Sequence, residues 1–490
     1  MSRGRGPGPW IVLVLATLVP AAALWGTHRF ADARVGDGES APVIDASVAV
    51  PPPTDVLNTS VLTLRRAPTL VAREQSLDDF SAEMASFTSA LNERSCTAVS
   101  VDGIAVADHN ASVPVIPASN QKIMVAAVAL ERLGPDFRYT TEVRAAQGPT
   151  GGVVEGDLYL VGGGDPLLSS DWYPTSNLER YPVTSPTSLD TLADAVVAAG
   201  VQTVTGNVIG DGSRYDDEFF APGWGVGDAG LEGGPYDALL ANDSRVLGEE
   251  LRANDPNAGA AREFARLLAE RGVEIAGAAA SGTAPEASTL LAEVSSAPLS
   301  DVVGEMLANS DNNTAELLVK EIGLDAAGMA PGTRQAGLDA MTQQLESWDI
   351  DPAGVVLADG SGLSLDNRLT CTALLQVLQR FDPGSPLGAG LPVAGESGTL
   401  ADVFVDHPLA GTLRGKTGSL NNAPFNEDPP AVKALAGYVP VDGGGAVEYV
   451  LILNGPTISD QSEYRPVWEG FADALATYPS GPTPAELGPR

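Results

Sequence analysis

The stretch Pro117-Ala118-Ser119-Asn120-Gln121-Lys122 and the apolar run behind it constrain this chain more than any other part of it. Every residue over 123–130 is apolar, so the helix predicted there has no solvent face and must be buried all round. Gly134 and Pro135 close it. Its first turn therefore carries two polar groups, Ser119 and Lys122, into the protein. Residues three apart on a helix share a face. A serine becomes nucleophilic beside a base, and a desolvated lysine can be that base because burial lowers its pKa. Taken alone, Ser-x-x-Lys more often describes a helix-capping serine next to a snorkelling lysine.

The use of lysine tilts the balance. Lysine occurs only at Lys122, Lys320, Lys416 and Lys433, and the remaining basic residues are arginine. Arginine cannot release its proton in a protein, whereas lysine can. A chain this biased towards arginine keeps lysine mainly where arginine fails.

With 490 residues there is room for two or three domains and a large core. A formal net charge of −35 excludes the basic face on which nucleic-acid binding relies. Arg3 and Arg5, followed by an apolar run over 10–25, read as an export signal or an uncleaved N-terminal anchor. The protein is thus expected outside the cytoplasm, secreted or held at the outer face of the membrane, with membrane contact only through that segment. Cys96 and Cys371 are then free to pair; the other reading is two buried free thiols. Neither metal nor cofactor is expected, since His28, His109, His407 and two distant cysteines form no ligand-spaced motif.

In chain order, residues 1–34 are read as signal or anchor and the Pro/Gly/Ser-rich 35–70 as a flexible linker. A first catalytic segment covers 71–143, with an amphipathic helix over 78–91 and a hairpin turning at Asp102-Gly103. From 144 to 292 glycine-rich strand fragments and two helices read as an inserted accessory region, with one strand expected over 201–209. Gly162-Gly163-Gly164 opens no helix, so it is a turn and not a dinucleotide loop. Core-like sequence returns over 293–490, ending in two strands and a helix. Hairpins at both ends with helices between predict an α+β fold, one antiparallel sheet covered by helices.

Three pieces lie in order along this frame: Ser119-x-x-Lys122, Ser310-Asp311-Asn312 and Lys416-Thr417-Gly418. Each alone is weak. Together, at a helix start, an inter-helix loop and a strand, they form the triple signature of the serine penicillin-recognising enzymes. Alternatives are thin: Ser361 lacks the glycine two residues before it that a nucleophile elbow needs, and a Ser/His/Asp triad could use only His109 or His407.

Within that superfamily the chain resembles the D-alanyl-D-alanine carboxypeptidases/endopeptidases related to penicillin-binding protein 4, in their actinobacterial form. The resemblance covers about 75–480. It rests on the three motifs, the long insertion between the first two, Thr314-Ala315-Glu316, Asp359-Gly360-Ser361-Gly362-Leu363-Ser364, Asn367-Arg368 and Gly398-Thr399-Leu400. The implied fold is a penicillin-binding/β-lactamase-like transpeptidase domain with the inserted region forming one or two smaller domains.

The resemblance also implies roles. Ser119 attacks the carbonyl between two terminal D-alanines of a peptidoglycan stem peptide, and Lys122 takes its proton. Ser310 relays a proton to the leaving amine and Asn312 orients substrate and Lys122. Lys416 and Thr417, with Gly418 and Ser419 on the same strand, bind the substrate; the amides of Ser119 and Ser419 form the oxyanion hole. β-Lactams are expected as inhibitors. Two rivals share these residues: a β-lactamase or esterase of the same fold, and a non-catalytic wall-binding protein. In the family's pattern an arginine often follows Gly-Thr-Leu and a basic residue often stands at 365; here those places hold Val403 and Leu365.

Overall fold

A computed structural model describes residues 67–487 apart from 179, 226, 422–430, 443–444 and 456. The signal or anchor read over 1–34 and most of the linker read over 35–70 lie outside those residues.

The first described helix, α1 (Ala67–Thr88), starts inside the stretch read as linker, so 67–70 belong to it. Its first turn is largely exposed and carries no apolar period, which is why the pattern shows only from Asp78 onward. Phe80 and Met84 are its fully buried anchors. Strands β1 (Cys96–Val101) and β2 (Ile104–His109) follow as a hairpin, and α2 (Gln121–Leu133) is entered through a 3₁₀ turn at Ala118–Asn120. After the insertion come α3 (Leu299–Asn309), α4 (Asn312–Ala327), α5 (Arg334–Ser347) and α6 (Cys371–Gln379). Strands β3 (Arg414–Leu420), β4 (Ala431–Pro440) and β5 (Ala446–Gly455) precede α7 (Gln461–Leu475).

A hairpin from the N-terminal part of the chain and a three-stranded meander from its C-terminal part build one sheet in the order β3-β4-β5-β1-β2. They join where β5 pairs antiparallel with β1, Cys96 opposite Ile452. The central strands are buried on both faces, so their alternation is between two cores and not between core and water. Val432, Ala434, Ala436, Val450 and Ile452 face a core shared with α2, α3 and α4. Ala431, Leu435, Val439, Leu451 and Leu453 face the other, closed by Phe80 of α1 and Trp468 and Phe471 of α7. Cys96 and Cys371 form a disulfide that ties the start of β1 to the start of α6.

The run over 123–130 is buried completely, as its composition requires, and α2 passes through the first core. The inserted region holds a five-stranded sheet, whose first and last strands along the chain are Thr140–Ala145 and Thr289–Ser295, and a three-stranded one. The single strand expected over 201–209 is in fact two. Thr203–Val204 belongs to the small sheet and Val208–Asp211 to the large one. The chain crosses between them at Gly206, where a Cβ would lie 2.3 Å from Asp157 Oδ1 and 2.5 Å from the Gly156 carbonyl carbon. A period-2 reading cannot see such a change of sheet.

Candidate active site

Ser119 sits in the 3₁₀ turn ahead of α2, preceded by Ala118 in a left-handed conformation, φ +48°. A side-chain-bearing residue held there marks stored strain next to a functional group. The turn is pressed against a second loop, 359–362. Gly362, at φ +85°, lies so close that a Cβ on it would come within 2.0 Å of the Ala118 carbonyl oxygen.

One turn further, Lys122 is buried completely. Its Nζ donates to Ser119 Oγ at 2.9 Å, Asn312 Oδ1 at 2.7 Å and the Ser361 carbonyl at 2.6 Å. Burial pushes the ammonium down to about 8, against the opposing pull of Asp359, Asp311, Glu316 and Glu232. The orientation of Asn312 follows from chemistry. A lysine can only donate in its charged form, so the amide oxygen must face it, and the Nδ2 then donates to the Glu232 carbonyl at 2.7 Å.

Ser310 and Asn312 reach opposite sides because the chain reverses between them. Ser310 caps α3 in a left-handed conformation at φ +61°, while Asp311 caps α4 by accepting from the Thr314 amide at 2.6 Å. Ser310 Oγ thereby receives Lys416 Nζ at 2.8 Å, and the same ammonium reaches the Thr417 carbonyl at 2.8 Å. Lys416 is fully buried, and burial first, then the charge of Lys122, holds its pKa well below the ordinary lysine range. Thr417 donates to Thr399 Oγ1 at 2.7 Å, which gives Gly398-Thr399-Leu400 a place at the site. Gly418 lets β3 approach the Pro117 carbonyl, 3.0 Å from where its Cβ would be. Ser419 receives Lys433 Nζ at 3.1 Å. A cleft of about 580 Å³ is lined by Ser119, Ser310, Asn312, Thr417 and Ser419, among others.

All eight site residues expected from the sequence thus converge, and the structure adds several that no motif singled out. Glu316 accepts from the Gly360 amide at 3.1 Å and the Ser361 amide at 2.8 Å, holding the two peptides just before the Ser361 carbonyl that faces Lys122. Burial, then the charge of Asp359, pushes Glu316 up to about 7. Asp359 accepts from the Gly362 and Ser364 amides, from Asn367 and, at 3.0 Å, from the indole of Trp224 in the insertion. The insertion therefore reaches the site twice, through Trp224 and the Glu232 carbonyl. Glu316 and the Asp359 turn stood in the sequence only as supports of a resemblance. Backbone carbonyls such as those of Ser361 and Glu232 leave no sequence signal at all.

A helix-covered antiparallel sheet with a Ser–Lys–Asn cluster built round a buried lysine, on a cleft at its edge strand, is the build of a serine-type DD-peptidase. The chain belongs to the D-Ala-D-Ala carboxypeptidase 3 (S13) family, whose pattern it matches over residues 89–232 and 236–475. It is 32% identical over 470 residues to a carboxypeptidase DacB of Mycolicibacterium smegmatis, covering 91% of this chain and 92% of that protein. A D-alanyl-D-alanine carboxypeptidase of an Actinomadura species is 30% identical, over 69% of this chain and 73% of its own. The fold is similar to penicillin-binding protein 4 of Haemophilus influenzae, with a TM-score of 0.64 at 22% identity, over 82% of this chain and 98% of that one.

Proposed function

We propose that the protein cleaves the terminal D-Ala-D-Ala bond of peptidoglycan stem peptides through an acyl-enzyme on Ser119, and that β-lactams trap the same serine. The observation that carries this reading is the coordination of Lys122. Neutral lysine has two N–H donors and one lone pair. Asn312 Oδ1 and the Ser361 carbonyl are fixed acceptors that take both donors. The lone pair is then left for the third neighbour, the Ser119 hydroxyl.

In this scheme Ser119 Oγ bonds to the carbonyl carbon as its proton passes to Lys122 Nζ. The tetrahedral oxyanion lies against the amides of Ser119 and Ser419, each such donor being worth about 3 kcal/mol. Ser310, held by Lys416, gives its hydroxyl proton to the departing amine and takes back the one that Lys122 holds, and the C–N bond breaks to release D-alanine. Water then hydrolyses the acyl-enzyme. Lys416 and Thr417 receive the terminal carboxylate, whose charge favours the ammonium form of Lys416 against the effect of burial.

We place the reaction outside the cytoplasmic membrane. The buried Cys96–Cys371 disulfide suits an oxidising compartment, and the basic and apolar N-terminal segment fits export. Among the described residues no helix is long and apolar enough to cross a membrane.

The test combines a labelled penicillin with a pentapeptide ending in D-Ala-D-Ala. Mass analysis should place a long-lived adduct on Ser119, and free D-alanine should be released. Lys122→Arg should reduce acylation by about 100-fold or more, the usual worth of a positioned base. A label on another serine would overturn the assignment, and penicillin turnover within seconds would favour the β-lactamase rival.

A further inference from the structure

The insertion contributes no residue to the three motifs, yet one of its turns holds groups that surround Lys122. The turn over 228–234 folds on its own backbone. The Asp228 carbonyl accepts from the amides of Leu231, Glu232 and Gly233, and the Gly233 carbonyl accepts from Gly230 at 2.7 Å. Gly233 is wedged between two side chains: a Cβ there would stand 2.8 Å from the Trp224 ring and 3.4 Å from Asn312 Cβ. Arg252 donates to the Gly230 and Leu231 carbonyls at 3.1 Å each and pairs with Asp243. Asp243 in turn accepts from Asn313, whose Oδ1 receives the Gly234 amide at 2.6 Å. The turn is thus tied, at its tip and at its end, to the first residues of α4.

Asn312 needs such a hold. While Lys122 is charged it can only donate, and the amide oxygen faces it without help. Once Lys122 is neutral, its lone pair could accept from the amide NH₂, and a flipped Asn312 would occupy the lone pair that Ser119 requires. The Glu232 carbonyl prevents this. It can only accept, so the NH₂ stays on it at 2.7 Å and the oxygen stays on Lys122. The second acceptor, the Ser361 carbonyl, lies in a loop closed by Asp359, which takes the Gly362 and Ser364 amides at 2.8 and 2.7 Å. Trp224 holds that carboxylate from the insertion side at 3.0 Å. Such a base works only while its acceptors keep their places to within about 0.5 Å.

We propose that Trp224 and the turn over 228–234 brace the base: they fix Asn312 Oδ1 through the Glu232 carbonyl and the Ser361 carbonyl through Asp359, with Trp224 and Arg252 as positioning residues. The inserted region is then part of the acylation machinery. The proposal deepens the DD-peptidase reading and rests on its assignment of Lys122 as the base of Ser119.

Two reagents test it on the full chain: a labelled penicillin, and a labelled aryl phosphonate, which reacts with an activated serine whatever substrate the enzyme takes. Trp224→Phe removes the N–H and the outer ring that meets Gly233. It should slow labelling of Ser119 by about tenfold on each reagent that the natural enzyme accepts. Arg252→Met should do the same, and Arg252→Lys, which returns donors to the turn, should recover most of that loss. With a D-Ala-D-Ala pentapeptide the loss should fall on kcat, with KM changed by less than about twofold. Leu192→Ala opens a cavity in the insertion's own core and controls for stability. It should lower the unfolding midpoint and leave labelling unchanged to within about twofold. Unchanged labelling in Trp224→Phe and Arg252→Met, or a loss in Leu192→Ala as large as theirs, would overturn the brace. A raised KM at constant kcat would make the two residues substrate contacts and would overturn it equally. If the phosphonate labels Ser119 and reveals the tenfold loss while penicillin and pentapeptide are ignored, the DD-peptidase reading fails and the brace stands. If neither reagent labels Ser119 in the natural protein, both fall.

Discussion

The ammonium of Lys122 and the carbonyl of Ser361 meet at 2.6 Å although 239 residues separate them in the chain. In the scheme proposed above this contact, with the one to Asn312, makes the buried lysine a directed base: it uses the donors and leaves the lone pair for Ser119. Its consequences can be measured.

Acylation should follow the titration of Lys122. The group must be neutral to accept a proton, and burial brings its pKa down to about 8. The second-order rate of acylation by a labelled penicillin should therefore rise with pH and level off above about 8. A rate that is flat between pH 6 and about 9 would remove the base role from Lys122.

Glu316 acts through Ser361 and is a positioning residue. In Glu316→Gln one acceptor oxygen remains where two met the Gly360 and Ser361 amides, and an NH₂ is turned towards donors. Acylation should fall by about tenfold, as positioning groups behind a reacting centre commonly require. The carboxylate also pulls the Lys122 pKa up, so the midpoint of the pH profile should move below that of the natural enzyme. Asp359, Asp311 and Glu232 keep their upward pull in that variant. A slower enzyme with an unmoved midpoint would limit Glu316 to fold support.

Gly362 should tolerate no side chain. Its φ of +85° is costly for an L-residue, and a Cβ would meet the Ala118 carbonyl at 2.0 Å. Gly362→Ala should lose about 2 kcal/mol or more of stability and most acylation, because the strained turn before Ser119 would have to shift. Denaturant unfolding and penicillin labelling measure the two effects separately.

The disulfide should hold the two catalytic segments together across the insertion. Cys96→Ser/Cys371→Ser should lower stability by about 2–5 kcal/mol. Labelling with an alkylating reagent after denaturation without reductant should modify neither cysteine in the natural protein. Two modified cysteines would show that the pair is reduced in solution.

Much of this molecule was legible in the order of its residues, and each legible part had a short-range cause. The apolar run over 123–130 requires a helix buried all round, and Ser119 and Lys122 share its face by helix geometry. The scarcity of lysine pointed to positions where a proton must be released or a compact charge placed. The two terminal hairpins announced a sheet, and the three motifs in order indicated the chemistry.

Tertiary structure decided what depends on distant backbone. Lys433 reads as one more strand residue until pairing sets it opposite Ser419 and α7 brings Arg465 beside it. Glu316 faces the 359–362 loop only because α4 packs there. Carbonyls of Ser361 and Glu232 direct a lysine and an asparagine, yet any residue supplies a carbonyl, so no residue type can betray it. Sequence determines which groups are present and which neighbours share a local face; only the packed chain determines which lone pair meets which proton.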